Sequence, residues 1–245
     1  MFPEIISLGP LTIHSYGLAI AAGVSLALVL MSSRAREAGF PPPEKVFDLV
    51  FVTLVSGFLG ARFFYVLQEW NWYGPHPWDI FKIWEGGLVY YGGVIAAFAG
   101  FFLYVRSNRL SFFRTSDFVI PFIALVHAFG RVGCFLKGCC YGKASPWPWA
   151  VQLPFLPAPV HPVQIYEAIF NLALFGFLMA WARRKPFYGA VTGLYLVLYS
   201  AGRFALEFFR GDQVPFVSFL TLQQVLSLVF LLAGAGLYGI CRRSR

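Results

Sequence analysis

Charge is scarce in this chain. Asp, Glu, Lys and Arg together make up 12% of its 245 residues, and only 11 of them are acidic, whereas roughly a quarter of a soluble domain is charged. So few charges cannot cover a globule that faces water on all sides, and no stretch reads as a soluble domain, an internal repeat or a low-complexity tail. Cysteine is also sparse, at four residues with no pair spaced by two, which counts against a thioredoxin-type redox motif. The start, Met1-Phe-Pro-Glu-Ile, lacks a basic n-region, and no small-residue cleavage site follows the first apolar run. A removed signal peptide is therefore not expected, and the first helix stays.

Apolar residues are abundant instead: 58% of the chain is hydrophobic, 19% is aromatic and the mean hydropathy is +0.67. Windows long enough to cross roughly 30 Å of hydrocarbon fall near 14–33, 46–67, 87–105, 117–136, 163–182, 189–209 and 217–240. The expectation is an all-α polytopic membrane protein with seven transmembrane helices in one domain, 1–245. Basic residues crowd the connections after alternate spans: Arg34, Arg36 and Lys45; Arg106, Arg109 and Arg114; Arg183, Arg184 and Lys185; Arg242, Arg243 and Arg245. Twelve of the 19 Lys and Arg thus lie on one side. The positive-inside rule makes that side cytoplasmic, with the N-terminus outside and the C-terminus inside. The net charge of +8 is then a topology signal, aided by attraction to anionic lipid, and gives no reason to invoke nucleic acid.

Against this background a few polar residues stand out. His127, Arg131 and Cys134 follow one another at i, i+4 and i+7 and share a helix face. An arginine at bilayer depth costs a few kcal/mol, so it should face the protein interior or a wet cavity and meet an anion. The plainer reading is an arginine that reaches the interface or pairs with a buried carboxylate. Arg203, Glu207 and Arg210 repeat the same spacing; Glu207 can balance only one of the two arginines, leaving a positive charge over. In the second window Ser56-Gly57 and Gly60-Ala61 form a small-xxx-small pattern for close helix approach, and Arg62 follows. Gly86-Gly87 and Gly92-Gly93 bracket Tyr90 and Tyr91 and permit approach by a helix or a ligand. In the fifth window Gln164, three residues past His161-Pro162, looks like a capping arrangement, which leaves Glu167 unexplained.

The connections at about 68–86, with Trp70, Trp72, Trp78 and Trp84, and at 143–160, rich in Pro and Trp, read as outer-face interfacial segments. Arg62, Arg131 and Arg203 lie 16, 14 and 14 residues past Val46, Asp117 and Gly189, which is roughly 21–24 Å up three helices at about 1.5 Å per residue. Tyr16, Tyr90-Tyr91 and His161 to Glu167 open the helices that run inward from that level. Such convergence predicts a common cavity open to the outer leaflet. Arginines among aromatic and aliphatic walls suit an anionic head with greasy tails, a phospholipid, because the guanidinium fork matches phosphate oxygens.

These segments together resemble the prolipoprotein diacylglyceryl transferase family. The likeness is carried by Tyr16-Gly17, Gly60-Ala-Arg62, Gly86-Gly87 with Tyr91-Gly-Gly93, the His127-x-x-Gly-Arg-x-Gly133 run ending in Tyr141-Gly142, His161-Pro-x-Gln-x-Tyr-Glu167 and Arg203-x-x-x-Glu-Phe-Phe-Arg210, over nearly the whole chain. It implies a bacterial inner-membrane, multi-pass enzyme with its active site facing the outer leaflet, phosphatidylglycerol and preprolipoprotein signal peptides with a lipobox cysteine as partners, and no cofactor or metal. The diacylglyceryl group would pass from phosphatidylglycerol to the lipobox thiol, the first step of lipoprotein maturation. By the same resemblance Arg131 and Arg203 would stabilise the departing phosphate, Glu207 would orient Arg203, and Tyr16, Gln164 and Glu167 would position the head group. Arg62, His161, Arg210 and Gly142 join them as substrate-binding positions. Tyr91 is the third catalytic position. It stands where many members have histidine; a tyrosine, with an ordinary pKa near 10, suits hydrogen bonding better than taking a proton. Cys134, Lys137 and Cys139 stand where common members have asparagine and glutamate, so polar contacts are not carried over there.

Cys134, Cys139 and Cys140 cluster at one end of the fourth window. A bond between the adjacent Cys139 and Cys140 would be strained, so Cys134 pairs with one of them or all are free thiols. They motivate one alternative, a membrane thiol oxidoreductase. An anionic lipid transporter is another. A zinc site of His127 and the three cysteines is disfavoured, because His127 lies about two turns before Cys134 and the ion would have to overcome repulsion from Arg131.

Overall fold

A computed structural model describes residues 4–8, 11–184, 186–217 and 219–243. Lys185, Arg245 and the opening Met1-Phe-Pro lie outside the described residues. The elements are β1 (Glu4–Leu8), β2 (Leu11–His14), α1 (Ser15–Ala38), α2 (Pro43–Gln68), α3 (Trp70–Tyr73), α4 (Tyr90–Ser107), α5 (Phe112–Lys137), α6 (Val163–Ala182), α7 (Ala190–Glu207), β3 (Pro215–Val217), β4 (Leu220–Thr221) and α8 (Leu222–Arg243). Each of the seven apolar windows overlaps one helix of at least 18 residues. Five of these helices, α1, α2, α5, α6 and α8, are long and apolar enough to cross a membrane. The fold is not purely helical: β1 pairs with β2 and β3 with β4 in short antiparallel hairpins, which give the backbone of short connections its hydrogen-bond partners.

Large apolar side chains point outward along these helices, among them Val29, Leu59, Phe98, Ile169 and Leu232. In water such a surface would be unstable; against lipid tails it costs nothing.

The chain divides into two compact units, one of Leu28–Thr115 and one of Met1–Ala27 with Ser116–Arg245. In the first, α2 packs on α4 through small residues. A Cβ on Gly60 would come within 2.8 Å of the Gly92 carbonyl, and one on Gly57 within 3.4 Å of the Gly93 carbonyl. The small-xxx-small expectation is met, and Gly92-Gly93 serve helix approach. Gly86 and Gly87, by contrast, have φ of 88° and 78° and form a turn.

In the second unit a core of Ala124, Leu174, Leu178, Val191 and Tyr195 joins α5, α6 and α7. The Asp117 carboxylate of α5 accepts from Gly189 N at 2.7 Å, Thr192 N at 2.8 Å and Thr192 Oγ1 at 2.7 Å, so it caps the start of α7 across the interface. Gly193 and Gly234 bring α7 against α8. The α1 turn at Tyr16 and Ala19 lies against Gly133 of α5. Pro162 stands at the N-cap of α6 with no side-chain cap. The expected capping by Gln164 is not formed, because its Nε2 donates instead to the Cys139 carbonyl at 2.7 Å.

Candidate active site

Helices α5, α6 and α7 place Arg131, Glu167, Arg203 and Glu207 together, and the turn after α7 adds Arg210 and Asp212. Glu167 is 2% exposed and lies among three guanidinium groups. Its Oε1 accepts from Arg203 Nη1 at 3.1 Å and is 3.7 Å from Arg210 Nη1, while its Oε2 contacts Arg131 Nε. The Arg131 Nε–H is aimed at His127 Nε2, 3.2 Å away, so its contact with Glu167 is an ion pair without a hydrogen bond. His127 therefore accepts through Nε2 and carries no proton there.

Arg203 Nη2 lies 2.8 Å from Glu207 Oε2, and Thr221 Oγ1 donates to Glu207 Oε1 at 2.8 Å. Asp212 grips Arg210 at two points, Nε to Oδ1 at 2.9 Å and Nη2 to Oδ2 at 2.6 Å. Burial pulls the Arg210 guanidinium toward its neutral form, but the hydrogen bonds and charge of Asp212, with Glu167 behind, overcome this and raise its pKa above the ordinary arginine value.

The leftover positive charge expected from Arg203, Glu207 and Arg210 is thus corrected. Three arginines meet three carboxylates, and the missing acid is Asp212, beyond the helix that the spacing described. Arg131 has the most exposed side chain of the three, at 17%, and among the described residues neither of its Nη groups makes a hydrogen bond. A buried, cross-braced frame in which one guanidinium keeps unused donors can hold an anion without reorganising.

Around this frame, Gly142 pairs with Arg210 in an isolated bridge and its N–H donates to the His161 carbonyl at 3.0 Å. A Cβ on Gly142 would meet His161 Cβ at 2.6 Å, so only glycine fits. The His161 ring packs on Phe209 and bonds Tyr166 Oη through Nδ1 at 3.2 Å. Cys134, Cys139 and Cys140 are free thiols.

Arg62 and Tyr91 belong to the other unit. All five Arg62 donors go to backbone carbonyls: Nε to Ile80, Nη1 to Gly86 and Gly87, Nη2 to Asp79 and Lys82. The turn at Gly86-Gly87 therefore wraps Arg62. The adjoining cavity, between Arg62, Tyr65, Trp72 and Gly87, is about 230 Å³, below the roughly 300–1,000 Å³ of ligand pockets. Tyr91 is the second residue of α4, its ring 5.5 Å from that of Tyr90.

Comparison with known proteins bears on the chain as a whole. The model of the family described as prolipoprotein diacylglyceryl transferase matches residues 3–240. The phosphatidylglycerol-prolipoprotein diacylglyceryl transferase of Clostridium tetani is 34% identical, covering 99% of this chain and 98% of its own. Its counterpart from Methylococcus capsulatus is 35% identical over 95% of this chain and 92% of its own, and one from Clostridium perfringens is 34% identical over 94% and 91%. The chain belongs to the prolipoprotein diacylglyceryl transferase family.

Proposed function

We propose that this protein transfers the diacylglyceryl group of phosphatidylglycerol to the thiol of the lipobox cysteine of a preprolipoprotein. The observation that carries the reading is the arginine frame braced by Glu167, in a chain of this family. The thiol releases its proton to water, the sulfur attacks the glycerol carbon that bears the phosphate, a C–S bond forms, the C–O bond breaks, and its electron pair leaves with glycerol phosphate. Charge grows on the departing phosphate, and a preorganised guanidinium stabilises it where water is excluded. Arg131 offers its Nη edge to the phosphodiester. Arg203, bound on both sides by Glu167 and Glu207, supports that edge and adds its field. Arg210 is held by Asp212, Gly142 and His161 tie the loop to it, and Gln164 and Tyr16 are read as head-group positions.

Tyr91 keeps the catalytic position of the resemblance, with a phenol suited to hydrogen bonding. Arg62 is read as a clamp that shapes the segment at 68–86, in place of the direct substrate contact expected of it. The whole chain, 1–245, is read as one membrane domain of seven spans, with α4 and α7 completing the five longer helices. Its N-terminus is outside, its C-terminus cytoplasmic and its site open to the outer leaflet of the inner membrane. Family membership favours this over the thiol oxidoreductase and the lipid transporter.

The test is reconstitution in phosphatidylglycerol vesicles with a lipobox peptide, read as the mass gain of one diacylglyceryl group. Arg131→Ala and Arg203→Ala each abolish the gain, whereas serine at Cys134, Cys139 and Cys140 spares it. The reverse pattern would overturn the proposal.

A further inference from the structure

We infer that Cys134, Cys139 and Cys140 form a binding site for a single thiophilic cation of the Zn2+ or Cd2+ type. The last turn of α5 presents Cys134. Gly138 N and Cys139 N then both donate back to the Cys134 carbonyl, at 3.0 and 3.1 Å, and the chain reverses through Gly138 at φ 81° and Cys140 at φ 61°. A non-glycine residue in that region is uncommon and costs strain. Its effect here is to fold Cys139 and Cys140 back over Cys134, so that all three sulfurs lie within 4.8 Å of one another. Three thiolates around a metal at about 2.3 Å stand about 4 Å apart, so small side-chain rotations suffice. Gln164, 2% exposed, holds the Cys139 carbonyl and fixes the loop.

A set of three is also one too many for a disulfide. All three are free thiols, and the transfer chemistry uses none of them.

Charge favours the complex. A bare cation beside Arg131 would be repelled, but binding replaces three S–H protons, released to solvent, by one divalent ion, and the product carries a net −1. Arg131, one helical turn before Cys134 on α5, opposes a naked ion but not an anionic thiolate complex.

The inference stands apart from the transferase reading, because it is read by binding and not by transfer. Reduced, metal-free protein in detergent is titrated with Cd2+ and followed by thiolate-to-cadmium charge-transfer absorption. The expected result is saturation at one Cd2+ per chain, displacement of the band by Zn2+, loss of the band in the variant with serine at all three positions, and its full retention in Cys241→Ser. A band absent from the native protein, or one that persists in the triple variant, overturns the site. Should the triple variant fail to fold, Cys140→Ser decides: Cd2+ affinity falls by at least about tenfold, the loss that even an outer partner of a ligand causes, and unchanged affinity overturns the site.

Discussion

A single carboxylate, Glu167, sets the state of three arginines. Removing its charge leaves Arg131 without a carboxylate and takes one of two from Arg203 and Arg210, and a broken buried pair costs about 3–5 kcal/mol. Glu167→Gln is therefore expected to lower the thermal unfolding temperature in detergent markedly as well as to stop transfer. Arg131, which keeps unused donors, behaves differently. Arg131→Ala is expected to reduce the rate of diacylglyceryl transfer by about 100-fold or more, the loss typical of one oxyanion donor, with a smaller change in unfolding temperature than Glu167→Gln. Arg131→Lys keeps the charge but not the two-point fork, and recovers only part of the rate. Equal rates for arginine and lysine would show that the fork is not used.

The helical spacing made Arg131, Arg203 and Glu207 legible, because i, i+4 periodicity is local. Asp212 was not legible as a partner. It lies past the end of α7, and only the turn there carries it back onto Arg210. An acid two residues from an arginine was the one available signal. Thr221 was hidden for a similar reason, since it reaches Glu207 from β4 across 14 residues.

Among the elements, α2 and α4 depend on bare backbone at their contact. Gly60→Ala puts a methyl group 2.8 Å from the Gly92 carbonyl. Overpacking of this kind costs about 1–3 kcal/mol; faster proteolysis within residues 28–115 is expected, while Gly236→Ala on α8, whose Cβ meets nothing within 4 Å, leaves the rate unchanged. Asp117→Ala removes the cap shared between α5 and α7 and is expected to cost about 0.5–2 kcal/mol of stability, measured by denaturant unfolding. The cap was invisible in the sequence, where Asp117 reads as a lone acid at a helix boundary and Gly189 and Thr192 lie more than 70 residues on. Arg62 shows the same limit from the other side. Depth arithmetic gives the level of its Cα, but the carbonyls of five residues decide where the guanidinium points.

For the molecule as a whole, the distribution of charge predicts topology. Single cysteines placed at Arg109 and Arg184 in a cysteine-free variant are expected to resist a membrane-impermeant maleimide in intact cells, and one placed at Trp78 to react. Labelling of the first two alone would reverse the orientation, and labelling of all three would contradict the assignment of Arg109 and Arg184 to the inner side. The sequence by itself determined the membrane class, the seven helical segments and the polar residues that the hydrocarbon would otherwise reject, because hydropathy and helical period are properties of contiguous stretches. Only the tertiary structure decided that Asp212 completes the charge balance, that Glu167 joins three arginines, that Arg62 is committed to a loop and that three sulfurs meet. Each of these is a contact between side chains or turns set by how the chain folds back on itself, and no periodicity along the chain encodes such a return.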